Sequence, residues 1–197
     1  VKEACKKSLK KLKTDYLDLY LIHWPASLKL YTNAEEINAD TWRGMEALYR
    51  EGFVRAIGVC NFKIHHLKEL EKTAEIRPMV NQIEFHPGML SQELVFYCQK
   101  AGICVEASSP LGNGQILKNE VVQRIARSRQ RSSAQICLRF AIERGLIVIP
   151  KTISMERLHE NIDVFDFCLT EKEMLAIDKI PYCGGIGIDS DEVIEFG

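Results

Sequence analysis

Five short apolar runs recur along the chain, each stopped by polar or turn-forming residues, and they alternate with stretches of helical spacing. The runs are YLDLYLIHWP at 16–25, VRAIGVCNF at 54–62, PMVNQIEFHP at 78–87, the segment ICVEASSPLGNG starting at Ile103, and LIVI at 146–149. None shows the two-residue alternation of a sheet with one wet face, so each reads as a strand buried on both sides. Pro25 stops the first run, and Gly145 and Pro150 bracket the last.

Between the runs, apolar positions fall three and four apart. Val1, Ala4, Cys5, Ser8, Leu9 and Leu12 mark a first helix. A polar loop over 26–38 precedes a helix with an inner face of Trp42, Met45, Leu48 and Tyr49, closed by Gly52. Further helices are predicted over 63–73, 92–101, 119–129 and 133–143, with a short one carrying Arg157, Glu160 and Asn161. Thr170 and Glu173 form a capping box for a last helix through Ile180. No capping residue precedes the first helix and the chain opens on Val1 rather than Met, so it is expected to begin partway through a protein.

A unit of helix, glycine and strand repeats as REG-FVRAIGV, KAG-ICVEA and ERG-LIVIP. That order implies parallel strands joined by right-handed crossover helices. A doubly wound nucleotide-binding sheet would carry GxGxxG after its first strand, and that motif is absent. The distinctive polar residues instead sit at the C-terminal ends of successive strands: His23, Asn61, Gln82, Ser108 with Ser109, and Lys151 with Thr152. A (β/α) barrel gathers such positions at one mouth and builds a phosphate site from the loops after its last two strands. Five strands cannot close a barrel of eight. The expected fold is therefore α/β, an incomplete (β/α)8 TIM barrel with about five β/α units present and the first three strands absent, residues 1–197 forming a single domain.

Lys151 and Thr152 are delivered by a strand to a helix N-terminus, with Arg157 following. Backbone N–H groups, a positive dipole end and two cations suit an anion such as phosphate. Taken alone, the same residues fit a surface salt-bridge network equally well.

Composition narrows the partners. Hydrophobic residues make up 46% and charged ones 27%, with a formal charge of −1, which is ordinary globular chemistry and favours neither nucleic acid nor an acidic membrane. No apolar run approaches a membrane span and no signal peptide is visible. The seven cysteines form no CxxC pair and do not alternate with histidine, so no metal site or disulfide framework is indicated; buried thiols in a cytoplasmic protein are expected. The stretch CGGIGIDS lies outside any strand–turn–helix context and reads as an extended surface loop.

The segments DLYLIHWP, GVCNF, VNQIEFHP, SSPLG and IPKTISMERLHEN resemble, in order and spacing, signatures of the aldo-keto reductase family. The closing PYCGG is similar to short bacterial members of the diketogulonate and glyoxal reductase type. The resemblance implies NADPH-dependent reduction of small-molecule aldehydes and ketones by hydride transfer. It makes His23 the active-site histidine, with His23 and Trp24 against the substrate carbonyl. Asn61 and Gln82 match the side chains that hold the nicotinamide carboxamide, and Cys60 stands where the family usually has a serine in the same contact. Ser108 falls where an aromatic ring usually stacks on the nicotinamide. Ser109 and Leu111 resemble the pyrophosphate loop, Lys151, Thr152 and Arg157 the clamp on the 2′-phosphate, and Glu160 and Asn161 the adenine end. Two cations at the phosphate argue for NADPH over NADH.

The family's catalytic Tyr, its Lys partner and its Asp come from the first three strands, so this chain alone is expected to be inactive. The alternative is a truncated, non-catalytic or regulatory nucleotide-binding fragment. A lyase using Lys151 as a Schiff-base amine fits poorly, because that lysine lies in a phosphate-type cluster rather than a desolvating pocket. Neither the physiological substrate nor the oligomeric state is assigned by the sequence.

Overall fold

The computed structural model describes residues 1–193. Helices and strands alternate: α1 (Lys2–Leu12), β1 (Tyr20–Ile22), α2 (Ala34–Arg50), β2 (Ile57–Cys60), α3 (Ile64–Glu71), β3 (Val80–Glu84), α4 (Gln92–Lys100), β4 (Cys104–Ser108), α5 (Glu120–Arg129), α6 (Ser133–Glu143), β5 (Ile147–Val148), α7 (Met155–Ile162) and α8 (Glu171–Asp178). The strands follow sequence order in one sheet, β1-β2-β3-β4-β5. Pairing is parallel where β1 meets β2, β2 meets β3 and β4 meets β5. This is the α/β layout that the helix–glycine–strand repeat implies. No helix among the described residues is long and apolar enough to cross a membrane.

The chain divides into two compact units. The first holds Val1–Gln82, Tyr97–Cys104 and the segment from Ile188 onward. In it β1 pairs with β2 from Tyr20 opposite Ile57 to Ile22 opposite Val59, and β2 with β3 from Gly58 opposite Val80 to Cys60 opposite Gln82. Every residue of β2 is buried, as expected for a strand with neighbours on both sides. Trp42, Met45 and Leu48 on α2 and Leu67 and Leu70 on α3 are buried with Ile57, Val59 and Phe62. Glu46 is buried as well, and its carboxylate accepts the backbone N–H groups of Glu75 and Ile76 at 2.8 Å, so the charge is satisfied by the loop that leads into β3.

Two expectations shift here. The segment 26–38 is not loop throughout: α2 starts at Ala34, with Glu35 and Glu36 in its first turn where acids favour the positive end of the helix. The first strand is shorter than the run 16–25 and is half-buried, because β1 lies at one end of the strand order with a partner on one side only.

The second unit holds Ile83–Phe96 and Val105–Gly187. In it β4 pairs with β5 through Glu106 opposite Ile147 and Ala107 opposite Val148. Ile136, Leu138 and Phe140 of α6 are buried with Val105, Ala107, Ile116 and Val122, and Phe140 stacks on Phe85 with ring centroids 6.1 Å apart. The helix starts are capped, by Asn119 for α5, a Ser132–Gln135 box for α6, Ser154 for α7, and for α8 by the Thr170–Glu173 box expected from the sequence.

The run 146–149 corrects the sequence reading. Leu146 is buried, but Ile147 is 50% and Ile149 41% exposed, and only two residues pair. A continuous apolar run shows that a strand can be covered; it does not supply the cover, and β5 is the last strand in the order. The cysteines divide too. Cys5, Cys60, Cys98 and Cys137 are buried thiols, whereas Cys104 and Cys168 are exposed.

Candidate functional site

In the first unit, the parallel register brings the C-terminal ends of three strands side by side. His23 follows β1, Cys60 ends β2, and Gln82 lies opposite Cys60 on β3. Asn61 then turns into the left-handed region at φ 63°, which Asn tolerates better than most residues. Its backbone N–H continues the β2–β3 ladder, donating to the Gln82 carbonyl at 2.8 Å. Its side-chain Nδ2 donates to the His23 carbonyl at 3.1 Å and to Cys60 Sγ at 3.3 Å. Cys60 Sγ in turn donates to Gln82 Oε1 at 3.5 Å.

The His23 ring is exposed and lies 5.7 Å from the Trp24 ring, centroid to centroid. Both rings line an open cavity of about 420 Å³ with Ile22, Tyr31 and Ile37. That volume suits a small molecule. A polar ring at the edge of an apolar wall can orient a carbonyl group while the wall takes the rest of the molecule.

In the second unit, Ser108 ends β4 and its carbonyl accepts from Phe85 N–H at 3.2 Å. Ser109 takes a positive φ of 47° and starts a turn in which its carbonyl accepts from Gly112 N–H at 2.8 Å, with Leu111 between them. After β5, Thr152 Oγ1 accepts from Ser154 N–H at 3.1 Å and Ser154 Oγ accepts from Arg157 N–H at 3.3 Å. Arg157 thus lies in the first turn of α7, with Lys151 and Arg157 both exposed. Glu160 is half-buried and Asn161 buried, further along the same helix. Two cations, a hydroxyl and a helix start thus follow one another between β5 and the first turn of α7, and such groups suit an anion. His23, Asn61, Ser108, Ser109, Lys151 and Thr152 thus lie at strand ends or in the segments that follow, whereas Gln82, expected at a strand end, is the middle residue of β3, and Glu160 and Asn161 lie within α7.

Two clusters escaped the sequence reading. Glu84 and His86 receive the glycine-rich segment after Cys183. Glu84 accepts the N–H groups of Ile186 and Gly187 at 2.6 and 2.8 Å, beside a fully buried His86. The expected extended surface loop is thus fastened at these points. In the first unit, Lys63 pairs with Asp189 and Asp191, and the Nε2 atoms of His65 and His66 each lie 3.1 Å from Asp191 Oδ1. Burial, with the nearby His65 adding to it, pushes His66 down to about 4. His65, His66 and Asp191 are close enough for metal ligands. His66 Nδ1, however, accepts the Lys63 backbone N–H at 3.1 Å, which leaves the neutral ring's proton on Nε2, the atom a metal would need. No local pattern announces either cluster, since each joins residues more than a hundred positions apart.

The chain matches the Aldo/keto reductase family over residues 1–181. It is 49% identical over 191 residues to the glyoxal reductase of Bacillus subtilis (strain 168), covering 97% of this chain and 66% of that protein. It is 40% identical over 193 residues to the methylglyoxal reductase DkgA of Salmonella typhimurium (strain LT2), covering 97% and 68%. A Gox0644 mutant crystallised in complex with NADPH superimposes with a TM-score of 0.89 at 37% identity, over 98% of this chain and 69% of that one. The chain thus spans about two thirds of the length of the relatives it matches. Its parallel α/β sheet, the polar residues at its strand ends and these likenesses agree, and the chain belongs to the aldo/keto reductase family.

Proposed function

We propose that the protein is an NADPH-dependent reductase of small aldehydes and ketones, and that this chain carries its cofactor-holding residues and one catalytic residue. The observation that carries the reading is the tie between Asn61 and the His23 backbone at 3.1 Å, with Gln82 in register beside Cys60. The donor set fits the cofactor. Asn61 and Gln82 offer the donors and acceptors that a carboxamide needs at once. Lys151, Thr152 and Arg157 offer the charge and hydroxyl that a 2′-phosphate needs. Ser109 and Leu111 form the tight turn assigned to the pyrophosphate, while Glu160 and Asn161 are assigned to the adenine end.

When bound, NADPH supplies the hydride. His23 holds the substrate carbonyl oxygen by a hydrogen bond, and Trp24 walls the cavity against water. Ser108 has no ring to stack on the nicotinamide, so orientation rests more heavily on the two amides. The bacterial relatives named for glyoxal and methylglyoxal support small dicarbonyls as the substrate class.

The finer reading of the fold is the C-terminal two-thirds of an eight-stranded barrel, with the proton-donating Tyr contributed by strands preceding these five. Five parallel strands in sequential order support it. The second reading, a non-catalytic nucleotide-binding fragment, is favoured by the absence of that Tyr motif from the 197 residues. NADPH oxidation with methylglyoxal, followed by the cofactor's absorbance, tests both. Turnover in the parent protein that His23→Ala abolishes supports the first, whereas NADPH binding without turnover in that protein supports the second.

A further inference from the structure

The span from His23 to Ala26 is fastened at both ends by asparagine side chains. At one end Asn61 Nδ2 donates to the His23 carbonyl at 3.1 Å. At the other, Asn38 of α2 takes both backbone groups of a single residue. Its Oδ1 accepts the Ala26 N–H at 2.7 Å and its Nδ2 donates to the Ala26 carbonyl at 3.3 Å. Only one orientation of the amide makes both bonds. Between the two ties lie Trp24 and Pro25, and Pro25 is buried with its φ set by the ring. Trp24 is therefore left little backbone freedom.

The clasp also stands where two cavities meet. Ala26 and Asn38 line both the cavity of about 420 Å³ that contains the His23 and Trp24 rings and a second one of about 310 Å³ beside Leu28, His66 and Leu70. The remaining walls of the first cavity depend on the same point. Ile37 precedes Asn38 on α2, and the Tyr31 N–H donates at 3.0 Å to the carbonyl of Ser27, the neighbour of Ala26.

We propose that Asn38 is a positioning residue which, by clasping Ala26, holds Trp24 and Tyr31 in place and so limits the size of the carbonyl compound taken beside His23. The inference rests on the reading of that cavity as the substrate site. Ala26 is half-buried with a cavity on either side, so water takes up its N–H and carbonyl once the amide is gone. Removing the clasp therefore frees the segment instead of leaving orphaned groups. A freed segment yields toward the second cavity, and the first one deepens. Asn38 acts here through Ala26 and its neighbours, not on the reacting atoms.

Methylglyoxal and phenylglyoxal present the same aldehyde with a methyl or a phenyl group behind it, so their ratio reads the cavity. The kcat/KM of each with NADPH is measured in the parent protein and in its Asn38→Ala, Asn38→Leu and Asn38→Asp variants. The unsubstituted protein is expected to prefer methylglyoxal by roughly tenfold, the discrimination a pocket wall gives against a side group too large for it. Asn38→Ala and Asn38→Leu narrow that preference to about threefold or less, because neither side chain holds Ala26. Asn38→Asp keeps most of it, since a carboxylate still accepts the Ala26 N–H, the shorter of the two links. Asn38→Leu fills the space of the amide and covers a failure of the alanine variant to fold. A preference lost in the Ala variant but kept in the Leu variant would make Asn38 a filler of space and overturn the clasp. So would equal loss for both substrates in all three variants, or a preference near one in the unsubstituted protein. Absence of turnover with either substrate there would instead remove the reading of the substrate site, and the inference with it.

Discussion

Nε2 of His86 lies 3.4 Å from Oε1 of Glu84, in a part of the second unit where the imidazole has no exposure at all. His86 Nδ1 lies 2.9 Å from the Pro87 carbonyl oxygen, which only accepts, so Nδ1 carries a hydrogen. The buried His86 Nε2 makes no hydrogen bond among the described residues and faces the Glu84 carboxylate. Glu84 meanwhile holds the Ile186 and Gly187 N–H groups. A Cβ on Gly185, whose φ is 146°, would lie 2.3 Å from Glu84 Oε1 and 2.7 Å from His86 Nε2. Gly185→Ala must therefore push the segment off its cradle. The expected loss is about 1–3 kcal/mol, from a partly buried carboxylate losing its N–H partners and a strained backbone, and Glu84→Gln is expected to lose a similar amount. Urea unfolding of both variants checks this, and midpoints equal to that of the unsubstituted chain would refute the clamp.

His66 makes stability depend on pH. Burial, ahead of the nearby His65 charge, lowers it from the ordinary 6.5 to about 4, with Lys63 opposing protonation and Asp191 and Asp189 favouring it. Between those values the unfolded chain binds the proton and the folded chain does not, so stability rises with pH. The contribution is present above about 6.5 and is lost as pH falls through about 4. With the side chain only 10% exposed, its size is up to about 3 kcal/mol. His66→Gln keeps an acceptor for the Lys63 N–H and removes the titration. Its unfolding free energy should be flatter across that window, and an unaltered slope would assign the dependence to other groups.

Lys151 and Arg157 should separate NADPH from NADH. Arg157 is exposed in the first turn of α7 and Lys151 in the loop before it, where the 2′-phosphate of NADPH is assigned and where NADH carries only a hydroxyl. Lys151→Ala and Arg157→Ala are each expected to weaken NADPH by roughly tenfold, or about 1.4 kcal/mol, with NADH unchanged. Paired binding titrations decide the matter, and equal loss for both cofactors would move the phosphate elsewhere.

Gly58, in the middle of β2, has no room for a side chain. A Cβ there would sit 2.5 Å from the Val80 carbonyl oxygen and 2.7 Å from Leu21 Cδ2. The oxygen belongs to the backbone of β3, so relief would have to spread β2 from its neighbour. Gly58→Ala is expected at the upper end of the about 1–3 kcal/mol range for overpacking. It should lower the urea midpoint with the slope intact, and because β2 carries Cys60, cofactor affinity should fall with it.

Much of this protein is written in short-range pattern. The strand–helix alternation, the parallel direction, the capping box at Thr170 and the placing of His23, Asn61 and Lys151 just past strands were all legible from residues a few positions apart. Those features depend on periodicity and on local hydrogen bonding, which neighbours in the chain specify. Tertiary structure alone decided the rest. That LIVI would be half exposed depends on what lies against it, and that Glu84 would hold Gly187, or Lys63 reach Asp191, joins residues 103 and 128 positions apart. In sequence, Cys60 is known only as the residue standing where the resemblance implies a serine. Only the register that sets it opposite Gln82 and beside Asn61 turns it into a link, because hydrogen-bond partners are chosen by proximity in space.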